Sequence, residues 1–496
     1  MALFSKKVAL INPPNNYILP SNVPSFLIDG NKGYLPPLGL MYLASYLRSH
    51  SEHDLLFIDA LVEGLTYDEI ARKVVDFGAE IVGIGVITFY LYDCIKVAES
   101  IRRMAPNITI IMGGPHVAIF PDETAQLACC DYALKGECEM TFHDLINALP
   151  DVEAVKKIGG VFFVEEDGLV FGNEDISLIG NIDALPSPDR SMIPYQKYSS
   201  ILSKDKRNAG FVTTIFSSRG CPYKCIFCDR PNLGKSFRYH SPEYVVGEIE
   251  AAYKLGIREF FFYDDTFSVN KRRVIEICEL IIQKKLEITW DIRTRVNDVS
   301  YDLLKVMKQA GLVRIHFGVE AGSEEMLKVL KKGITKEKAR MAFRDSEKLG
   351  IQRLAYFMFG SPGETVEQMR ETIDFARELN PEFCHFAVLT PFPGTPIYLE
   401  MLQKGVCRDY WRDYALNPTP DFVPPFYPES LPKQELLQIL EEAYKSFYLT
   451  PKYVLKSLMR VRSLARLRQY TRIGWNMMTM KGTRAVAAQN PAAMQV

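Results

Sequence analysis

Three cysteines in one short segment constrain this chain more than any other feature. They are Cys221, Cys225 and Cys228, spaced C-x3-C-x2-C. The fold must present three thiols from a single loop, and such soft ligands can hold three corners of a cubane iron–sulfur cluster. The fourth iron then stays open for chemistry, whereas an electron-carrying cluster normally has four cysteine ligands. Structural zinc would need a fourth Cys or His nearby, and His240 is poorly spaced for it. The sequence therefore favours the open cluster.

With Phe227 directly before its last cysteine, the triad resembles the signature of the radical S-adenosylmethionine (SAM) superfamily. The resemblance implies that the amino and carboxylate groups of SAM chelate the open iron. It also implies that the reduced cluster cleaves SAM to methionine and a 5′-deoxyadenosyl radical. Phe227 is accordingly expected to contribute to the SAM site, and a ferredoxin or flavodoxin is the expected electron donor.

Length and composition predict two or three domains in a reducing compartment. The chain has 496 residues, 47% of them apolar and 24% charged, as in a globular protein of several domains. No apolar run approaches the roughly 20 residues of a membrane span, and the apolar stretch near the N-terminus is too short for a signal peptide. The ten cysteines form no secreted disulfide framework. A cytoplasmic protein is expected, with peripheral contact at the inner face of the membrane as an option.

The order of apolar segments predicts an α/β chain of four parts. Residues 1–150 alternate strands with helical patterns, as in a doubly wound, Rossmann-like sheet. Residues 151–207 are predicted to be a linker with a small β segment, and 208–408 a partial (β/α)6 barrel with the cysteine loop at its top. Residues 409–496 are predicted to be helical, with a helix over Lys433–Tyr448. The expected strands are Val8–Asn12, Leu55–Asp59, Ile81–Ile87, Thr109–Met112 and Tyr132–Lys135, then Val212–Ser217, Glu259–Tyr263, Thr289–Arg293, Arg314–Val319, Leu354–Phe359 and His385–Leu389; a short helix is expected at Ala125–Ala128.

Acidic and basic residues end two strands of the predicted barrel. Asp264 and Asp265 follow the second strand, where the resemblance implies a contact with the SAM ammonium. The alternative is that one of them caps the next helix. Arg293 and Arg295 end the third strand, where a guanidinium could clamp the SAM carboxylate.

Two further positions complete the predicted SAM site. Glu320 ends the fourth strand and could accept hydrogen bonds from the ribose or the amine of SAM. An ion pair with Arg293 or Arg295 is the equally favoured alternative for Glu320. Gly360 lies in a Gly/Pro turn whose backbone can approach adenine closely.

The first domain resembles the cobalamin-binding domain that precedes many radical SAM enzymes. The resemblance rests on the segments Asn12-Pro-Pro, Tyr34–Leu40, Met112-Gly-Gly-Pro-His and Gly136-Glu. Glycines at strand ends would let the backbone pass close to a corrin. The implied cobalamin-site residues are Thr88, Phe89, Gly113, Gly114, His116, Gly136 and Glu137.

One departure from cobalamin-dependent mutases affects the expected cobalt ligand. The motif D-x-H-x-x-G is missing after the first strand, so no histidine from that loop can bind cobalt. Thr88 and Phe89 are then candidates for the lower face. His116 could ligate the metal, but a hydrogen-bonding role in the loop is favoured. A scaffold domain that has lost its ligand is the further alternative.

Together the motifs, which run to about Tyr398, resemble cobalamin-dependent radical SAM enzymes. The group includes bacteriochlorophyll side-chain methyltransferases, hopanoid methylases and the anaerobic magnesium-protoporphyrin cyclase. The resemblance implies methylation of an unactivated carbon in a large apolar substrate, with a tetrapyrrole side chain favoured. A polycyclic lipid or a ring-forming reaction of the cyclase type are the alternatives, followed by an RNA-modifying enzyme and a non-catalytic cobalamin or metal sensor.

The C-terminal tail carries a strong positive charge. Residues 451–496 contain nine Lys or Arg and no Asp or Glu, although the whole chain has a net charge of −1. Apolar residues at helical spacing over 452–468 predict a basic amphipathic helix. Residues 452–472 could therefore contact an anionic membrane, or the helix could dock on the barrel through its apolar stripe. Nucleic acid is the less favoured acidic partner. Radical methylthiotransferases, which would be the RNA-modifying alternative, carry three extra N-terminal cysteines, and the first 93 residues here contain none.

Overall fold

The structure is a computed structural model. It describes residues 5–19, 33–200, 211–229, 234, 236–427 and 431–459, together with 468, 471, 474, 475, 478 and 479. Most of the basic tail beyond residue 459, including much of the predicted amphipathic helix and membrane contact, lies outside the described residues.

Seven strands form the first sheet, in the order β2-β1-β3-β4-β5-β6-β7. The first five are parallel, as predicted. Helices cover both faces of this sheet, which fits the nearly continuous apolar sequence of its central strands. The order reverses between β1 and β3, and such a switch point opens a crevice for ligands at the carboxyl edge. The strands are β1 (Lys7–Asn12), β2 (Asp54–Asp59), β3 (Ile81–Gly85), β4 (Thr109–Gly113), β5 (Tyr132–Leu134), β6 (Val161–Val164) and β7 (Val170–Gly172).

Two details of this region differ from prediction. The short strands expected within the linker are β6 and β7. Strand β6 pairs antiparallel with β5 and β7 pairs antiparallel with β6, so this sheet continues beyond residue 150. The helix predicted at Ala125–Ala128 instead occupies Pro121–Ala125, because a proline in the first turn is compatible with a helix start. The helices here are α1 (Leu38–His50), α2 (Ala60–Glu63), α3 (Tyr67–Phe77), α4 (Leu91–Met104), α5 (Pro121–Ala125), α6 (Cys138–Ala148) and α7 (Val152–Val155).

Six parallel strands form the second sheet and confirm the predicted partial barrel. They lie in chain order, so each βα unit adds its strand beside the previous one and all six carboxyl ends share one edge. A two-stranded ladder of β9 (Ser218–Arg219) and β10 (Arg238–Tyr239) flanks the cysteine loop. The six are β8 (Phe211–Ile215), β11 (Ile257–Phe262), β12 (Thr289–Thr294), β13 (Leu312–Glu320), β14 (Gln352–Phe359) and β15 (Phe383–Val388); the helices among and after them are α8 (Pro242–Lys254), α9 (Lys271–Gln283), α10 (Tyr301–Gln309), α11 (Glu324–Val329), α12 (Lys336–Lys348), α13 (Val366–Leu379), α14 (Pro396–Gln403) and α15 (Tyr410–Leu416).

The helix predicted at Lys433–Tyr448 is confirmed as α16 and covers the edge of the barrel sheet. Its Tyr448 hydroxyl contacts both backbone groups of Cys384 in β15, at 2.8 and 2.6 Å from N and O. Tyr444 does the same for Phe386 at 3.2 and 2.9 Å. These hydroxyls satisfy backbone groups that an edge strand would otherwise expose. Helix α17 (Pro451–Met459) follows, and no described helix is both long and apolar enough to cross a bilayer.

The Pro-rich segment before β8 is fixed to the barrel by a buried ion pair. Arg190 lies 2.5 Å from Glu248 in α8 and also donates to the Thr213 side chain and the Thr214 carbonyl in β8. Both charged side chains are almost completely buried. Nearby, Arg48 and Asp189 form a pair at 2.8 Å that is largely exposed. Both ion pairs hold the Pro-rich segment before β8, but the Arg190–Glu248 pair is buried and the Arg48–Asp189 pair is exposed.

Replacing Arg190 by Leu is expected to lower the free energy of unfolding by about 3–5 kcal/mol at neutral pH, because Glu248 becomes a buried charge without its partner. Burial already raises the pKa of Glu248, so the loss should shrink as pH falls towards about 4.3, where the unfolded carboxyl is also protonated. Urea unfolding at several pH values measures this. Arg48→Leu is the matched control, with an expected cost of about 0–1 kcal/mol; equal losses in both variants would contradict the argument.

Candidate functional site

The cysteine loop is anchored to the barrel by its own backbone. Ile226 N donates to the Leu330 carbonyl at 3.2 Å, and Ile397 N donates to the Ile226 carbonyl at 3.0 Å. The loop is thereby fixed between the end of α11 and the start of α14. Cys225 is buried, whereas Cys221 and Cys228 are partly accessible. The loop comes after β8 and therefore lies at the carboxyl edge of the barrel sheet, and cluster binding by its three thiols stays a prediction.

Cationic side chains accompany the thiols. Arg295 Nη1 lies 3.3 Å from Cys225 Sγ, and the Arg295 guanidinium stacks 3.9 Å over the Tyr223 ring. Burial, with a smaller contribution from the Asp265 charge, raises the pKa of the Cys228 thiol to about 12, and Lys332 opposes that rise. Metal-bound cysteines are thiolates, which nearby positive charge stabilises. The donor set therefore suits an iron–sulfur cluster.

Among the described residues, no three His, Cys, Asp or Glu side chains converge as they would around one metal ion. Zinc requires such convergence, because four ligands lie within about 2.3 Å of it. A cubane instead distributes three protein thiolates over three irons, so the sulfurs stay apart.

Asp264 and Asp265 have different surroundings. Asp264 is buried and accepts hydrogen bonds from Ser217 N at 2.7 Å, from the Ser217 hydroxyl and from the Ser218 hydroxyl. Asp264 therefore holds the strand end that leads into the cysteine loop. Its carboxylate is occupied by the two serines, so the predicted contact of Asp264 with SAM is wrong. The capping alternative is also wrong, because Asn270 caps α9.

Asp265 is the carboxylate that lies at the site. Its side chain is exposed, and its charge raises the pKa of both Cys221 and Cys228, as a close neighbour would. Although the side chain is accessible, partial desolvation by the surrounding protein and the Asp264 charge raise the pKa of Asp265, and Arg293 opposes them. Asp265 thus combines access with a cationic neighbour, so its contact with the SAM ammonium stays a prediction.

The two arginines at the end of β12 diverge. Arg293 stacks 4.0 Å over Tyr263, and Arg295 contacts the cysteine loop. Arg295 Nε is buried without a hydrogen-bond partner among the described residues. The guanidinium therefore has a donor left for a ligand, and clamping of the SAM carboxylate stays a prediction.

Glu320 pairs with a lysine rather than an arginine, so the predicted alternative of an arginine partner is wrong. Lys332 Nζ lies 2.8 Å from Glu320 Oε1. Glu320 has φ +71° beside a register shift in β13, and strained backbone of this kind concentrates at functional sites. A Cβ on Gly318 would lie 2.5 Å from Glu320 Oε1 and 2.8 Å from Lys332 Nζ, so a larger residue there would displace the ends of the pair.

Lys332 was missed by the sequence analysis. It is buried, and its ammonium lies 5.8 Å from the centre of the Phe227 ring, next to the last cysteine. Sequence pattern offered no signal, because Lys332 follows another lysine in a turn. Gly360, by contrast, has the predicted character: its φ of +79° favours glycine in the turn that follows β14.

Glycines at the carboxyl edge of the first sheet permit close backbone packing. A Cβ on Gly114, where φ is +119°, would lie 2.8 Å from the Val86 carbonyl oxygen. One on Gly136 would lie 2.9 Å from Ile176, and one on Gly113 would lie 3.3 Å from Cys138 Sγ. Packing within the protein thus already explains Gly114 and Gly136. Their contact with cobalamin stays a prediction.

His116 has the hydrogen-bonding role that the sequence favours. It is completely buried, and its Nδ1 lies 3.0 Å from the Thr88 hydroxyl. Burial lowers the pKa of His116 to about 3, so the ring is neutral. Ile87, which the sequence analysis did not single out, is exposed at this edge beside Thr88 and offers apolar surface to a corrin. The loop after β1 supplies no histidine, and the His116 side chain after β4 is buried. The exposed apolar edge at Ile87 therefore fits a cobalamin without a histidine ligand from the loop after β1.

Glu137 requires a correction. Both of its carboxylate oxygens contact arginines of the barrel domain, Arg219 at 2.7 Å and Arg238 at 2.6 Å. The side chain is buried, so its carboxylate is engaged by protein rather than presented to cobalamin. The sequence offered no means to see this, because the partners lie about a hundred residues away.

The two candidate cofactor sites meet. The rings of Phe89 in the first domain and Phe392 in the barrel are 5.4 Å apart. A Cβ on Gly394 would lie 3.2 Å from Asp229 Oδ1 and 3.4 Å from Ile119 Cδ1 of the first domain. Asp229 directly follows Cys228, and its Oδ1 is buried without a partner among the described residues. The cysteine loop and the carboxyl edge of the first sheet therefore border one region.

Known sequences and folds match both halves of this arrangement. The pattern of the radical SAM superfamily matches residues 215–376, and that of the B12 binding domain matches residues 25–146. A protein of Pyrococcus horikoshii named uncharacterized methyltransferase PH0819 is 36% identical over 91% of this chain and 94% of its own.

The chain belongs to the radical SAM superfamily. It carries a B12 binding domain, and its cofactors are a [4Fe–4S] cluster, SAM and cobalamin.

More distant relatives share most of the chain. The anaerobic magnesium-protoporphyrin IX monomethyl ester cyclase of Rubrivivax gelatinosus is 28% identical, over 85% of this chain and 75% of its own. The bacteriochlorophyllide d C-12(1)-methyltransferase of Chlorobaculum tepidum is 26% identical, over 86% of each chain. The radical SAM methyltransferase TsrM of Kitasatospora setae has the same fold, with a TM-score of 0.72, 18% identity and coverage of 88% of this chain and 89% of its own.

Replacing Arg295 by Gln is expected to lower the reduction potential of the cluster. Reduction adds negative charge, which the guanidinium and its N–H···S contact with Cys225 stabilise. Arg295→Lys keeps the charge but loses the fork of donors, so its potential should be intermediate. An EPR-monitored redox titration without SAM measures the shift, with iron and sulfide content as the control for loading. Unchanged potentials would contradict the assignment.

Proposed function

We propose that this protein is a cobalamin-dependent radical SAM methyltransferase that methylates an unactivated carbon of a large apolar substrate. The observation that carries the proposal is the meeting of the two sites around Asp229, Gly394 and Ile119. A methyl carrier and a radical generator must both reach one substrate carbon. The shared border of the cysteine loop and the first sheet meets this need.

The relatives support a tetrapyrrole as the favoured substrate class. One is named for methylation of bacteriochlorophyllide and another for ring closure of magnesium protoporphyrin. The relative with 36% identity is named a methyltransferase. A side chain of a bacteriochlorophyll-type tetrapyrrole is therefore our first candidate, and a polycyclic lipid of the hopanoid type is the second.

Different side chains of this protein would have different roles in the reaction. Cys221, Cys225 and Cys228 would hold the cluster, with Asp265 and Arg295 binding the charged ends of SAM. When bound, the cluster with SAM supplies a hydrogen-abstracting radical, and cobalamin supplies a transferable methyl group. The domain contacts would help to keep water away from the reacting groups, which would protect reactive species. A ferredoxin or flavodoxin would reduce the cluster.

Two other groups of residues would shape the cofactor sites. Glu320, held by Lys332, would accept hydrogen bonds from the ribose or amine of SAM, with Phe227 and Gly360 beside the adenine. Ile87, Thr88 and Phe89 would form the surface beneath the corrin. Because this surface supplies no histidine, cobalamin held there would serve as the carrier of a transferable methyl group.

The second candidate function is ring formation without net methyl transfer. It is favoured by the 28% identity to the magnesium-protoporphyrin cyclase over 85% of this chain. S-adenosylhomocysteine separates the two reactions, because only methyl transfer from SAM produces it.

Anaerobic incubation of the reconstituted protein with methyl-deuterated SAM, cobalamin and a bacteriochlorophyllide precursor is expected to give a deuteromethylated product. Mass spectrometry should also detect S-adenosylhomocysteine and 5′-deoxyadenosine. The Cys225→Ser variant should make no 5′-deoxyadenosine, because the cluster loses a ligand. A hopanoid precursor and a cyclase substrate are the comparison reactions. Ring closure without S-adenosylhomocysteine would overturn the methyltransferase proposal in favour of the cyclase.

We also propose that helix α17 lies on an anionic membrane. Tyr453 anchors the helix to the barrel, donating to the Glu382 carbonyl at 2.9 Å. Four apolar residues of the helix are exposed by 41–72%: Val454, Leu455, Leu458 and Met459. Basic charge beside an apolar helix face is the pattern of peripheral membrane binding. Such contact would bring an apolar substrate to the enzyme.

Sedimentation with vesicles tests the membrane contact. Full-length protein is expected to pellet with phosphatidylcholine vesicles that contain phosphatidylglycerol, and to be released by salt as charges are screened. The variant Leu455→Glu/Met459→Glu should stay in solution. Leu169→Glu, at a residue that is 66% exposed in another domain, is the matched control and should bind normally. Equal binding to vesicles without anionic lipid would contradict the proposal.

A further inference from the structure

The cysteine loop leaves and rejoins the barrel through two arginines. Arg219 and Arg238 face each other in the antiparallel ladder of β9 and β10, and the chain between them carries all three cluster cysteines. Arg219 precedes Cys221 by two residues. The position of this ladder therefore determines where the cluster lies relative to the rest of the protein.

One carboxylate from the cobalamin domain binds both arginines. Arg219 Nη1 is 2.7 Å from Glu137 Oε1, and Arg238 Nη1 is 2.6 Å from Glu137 Oε2. Glu137 Oε2 also accepts a hydrogen bond from Ile179 N at 2.8 Å. Glu139 adds a second contact to Arg219, at 2.7 Å. Glu137 thus bridges the two ends of the cluster loop.

Glu137 connects the cobalamin domain to both ends of the cysteine loop, so it can hold the loop in place relative to that domain. Glu137 follows Gly136, at the carboxyl end of β5 in the first sheet. The charged side chains of Glu137, Glu139, Arg219 and Arg238 are at most 10% exposed. Charge-assisted hydrogen bonds in a dry environment are strong and directional. The two arginines and the two glutamates together carry no net charge.

The contacts of Glu137 explain its ionisation. Burial alone would raise its pKa, but the two arginines and the backbone N–H hold the pKa below the usual value for Glu. The carboxylate is therefore charged across the physiological range. Neutralising it would leave one cation without its partner in the buried network.

We infer that Glu137 is a positioning residue that sets the geometry between the iron–sulfur cluster and cobalamin. The inference rests on the proposed function only in requiring that both cofactors act on one substrate. A radical formed on one side must meet the methyl donor on the other, and a displacement of about 1 Å can reduce a rate by about 10²-fold. Loosening the bridge would let SAM cleavage continue while methyl transfer fails.

A distance measurement tests this directly. In the holoenzyme, the reduced cluster and cob(II)alamin are both paramagnetic, so pulsed EPR reports the distribution of distances between them. Glu137→Gln is expected to broaden or shift that distribution relative to wild type. Glu137→Asp keeps the charge and should retain a distribution closer to wild type. The readout does not depend on turnover, so it stands whether or not the proposed substrate is correct.

The control separates positioning from general stability. Glu382→Gln breaks another buried pair, with Arg353 at 3.0 Å in the barrel, and should lower stability without changing the distance distribution. If Glu137→Gln does not fold or loses a cofactor, Glu139→Gln removes only the second contact to Arg219 and should cause a smaller broadening. Iron and cobalamin contents verify loading in each variant.

Product analysis supplies a second readout. Glu137→Gln should form 5′-deoxyadenosine near the wild-type rate, while its methylated product falls by as much as about 10²-fold. A wild-type distance distribution in both Glu137→Gln and Glu139→Gln would overturn the inference. So would a broadening of the same size in Glu382→Gln.

Discussion

The structure depends on the docking of the cysteine loop against the first domain by buried charges. Glu137 and Glu139 bind Arg219, and Glu137 also binds Arg238 at the other end of the loop. A buried carboxylate without these cations would be costly, so the two domains are locked in one relative position at this point. The meeting of the two cofactor sites follows from that lock.

Buried charges fix the loop from the barrel side as well. Asp264 receives the amide and hydroxyl of Ser217, and Arg273 donates to the Ser217 carbonyl at 2.6 Å. Arg190 and Glu248 fix the segment that enters the first barrel strand. These contacts hold the groups in place, although Glu248 Oε2 and Arg273 Nη1 have no hydrogen-bond partner among the described residues. Asp265 is accessible, and Arg295 and Asp229 also keep polar atoms without partners among the described residues. Asp265, Arg295 and Asp229 lie beside the cluster cysteines, so their position, rather than a missing partner alone, makes them the candidates for ligand binding.

Much of the fold could be predicted because local pattern determines it. Buried parallel strands are apolar on both faces, so β1 to β5 and the six barrel strands are visible as apolar runs. The cysteine triad is equally local. The roles of Asp264 and Glu137 could not be predicted, because a carboxylate has the same appearance in sequence whether it meets SAM, a serine or a distant arginine. Lys332 and Ile87 were missed for the same reason: their surroundings come from segments far along the chain.

The sequence by itself determined the two domain types, the cofactors, and the cysteine triad that is predicted to hold the cluster. These properties depend on residue type, periodicity and spacing within short segments. Only the tertiary structure decided which charged residues face the site, that Glu320 pairs with Lys332, and that the cluster loop meets the cobalamin sheet through Glu137. Those outcomes depend on desolvation and partner geometry, which exist only after distant segments have packed together.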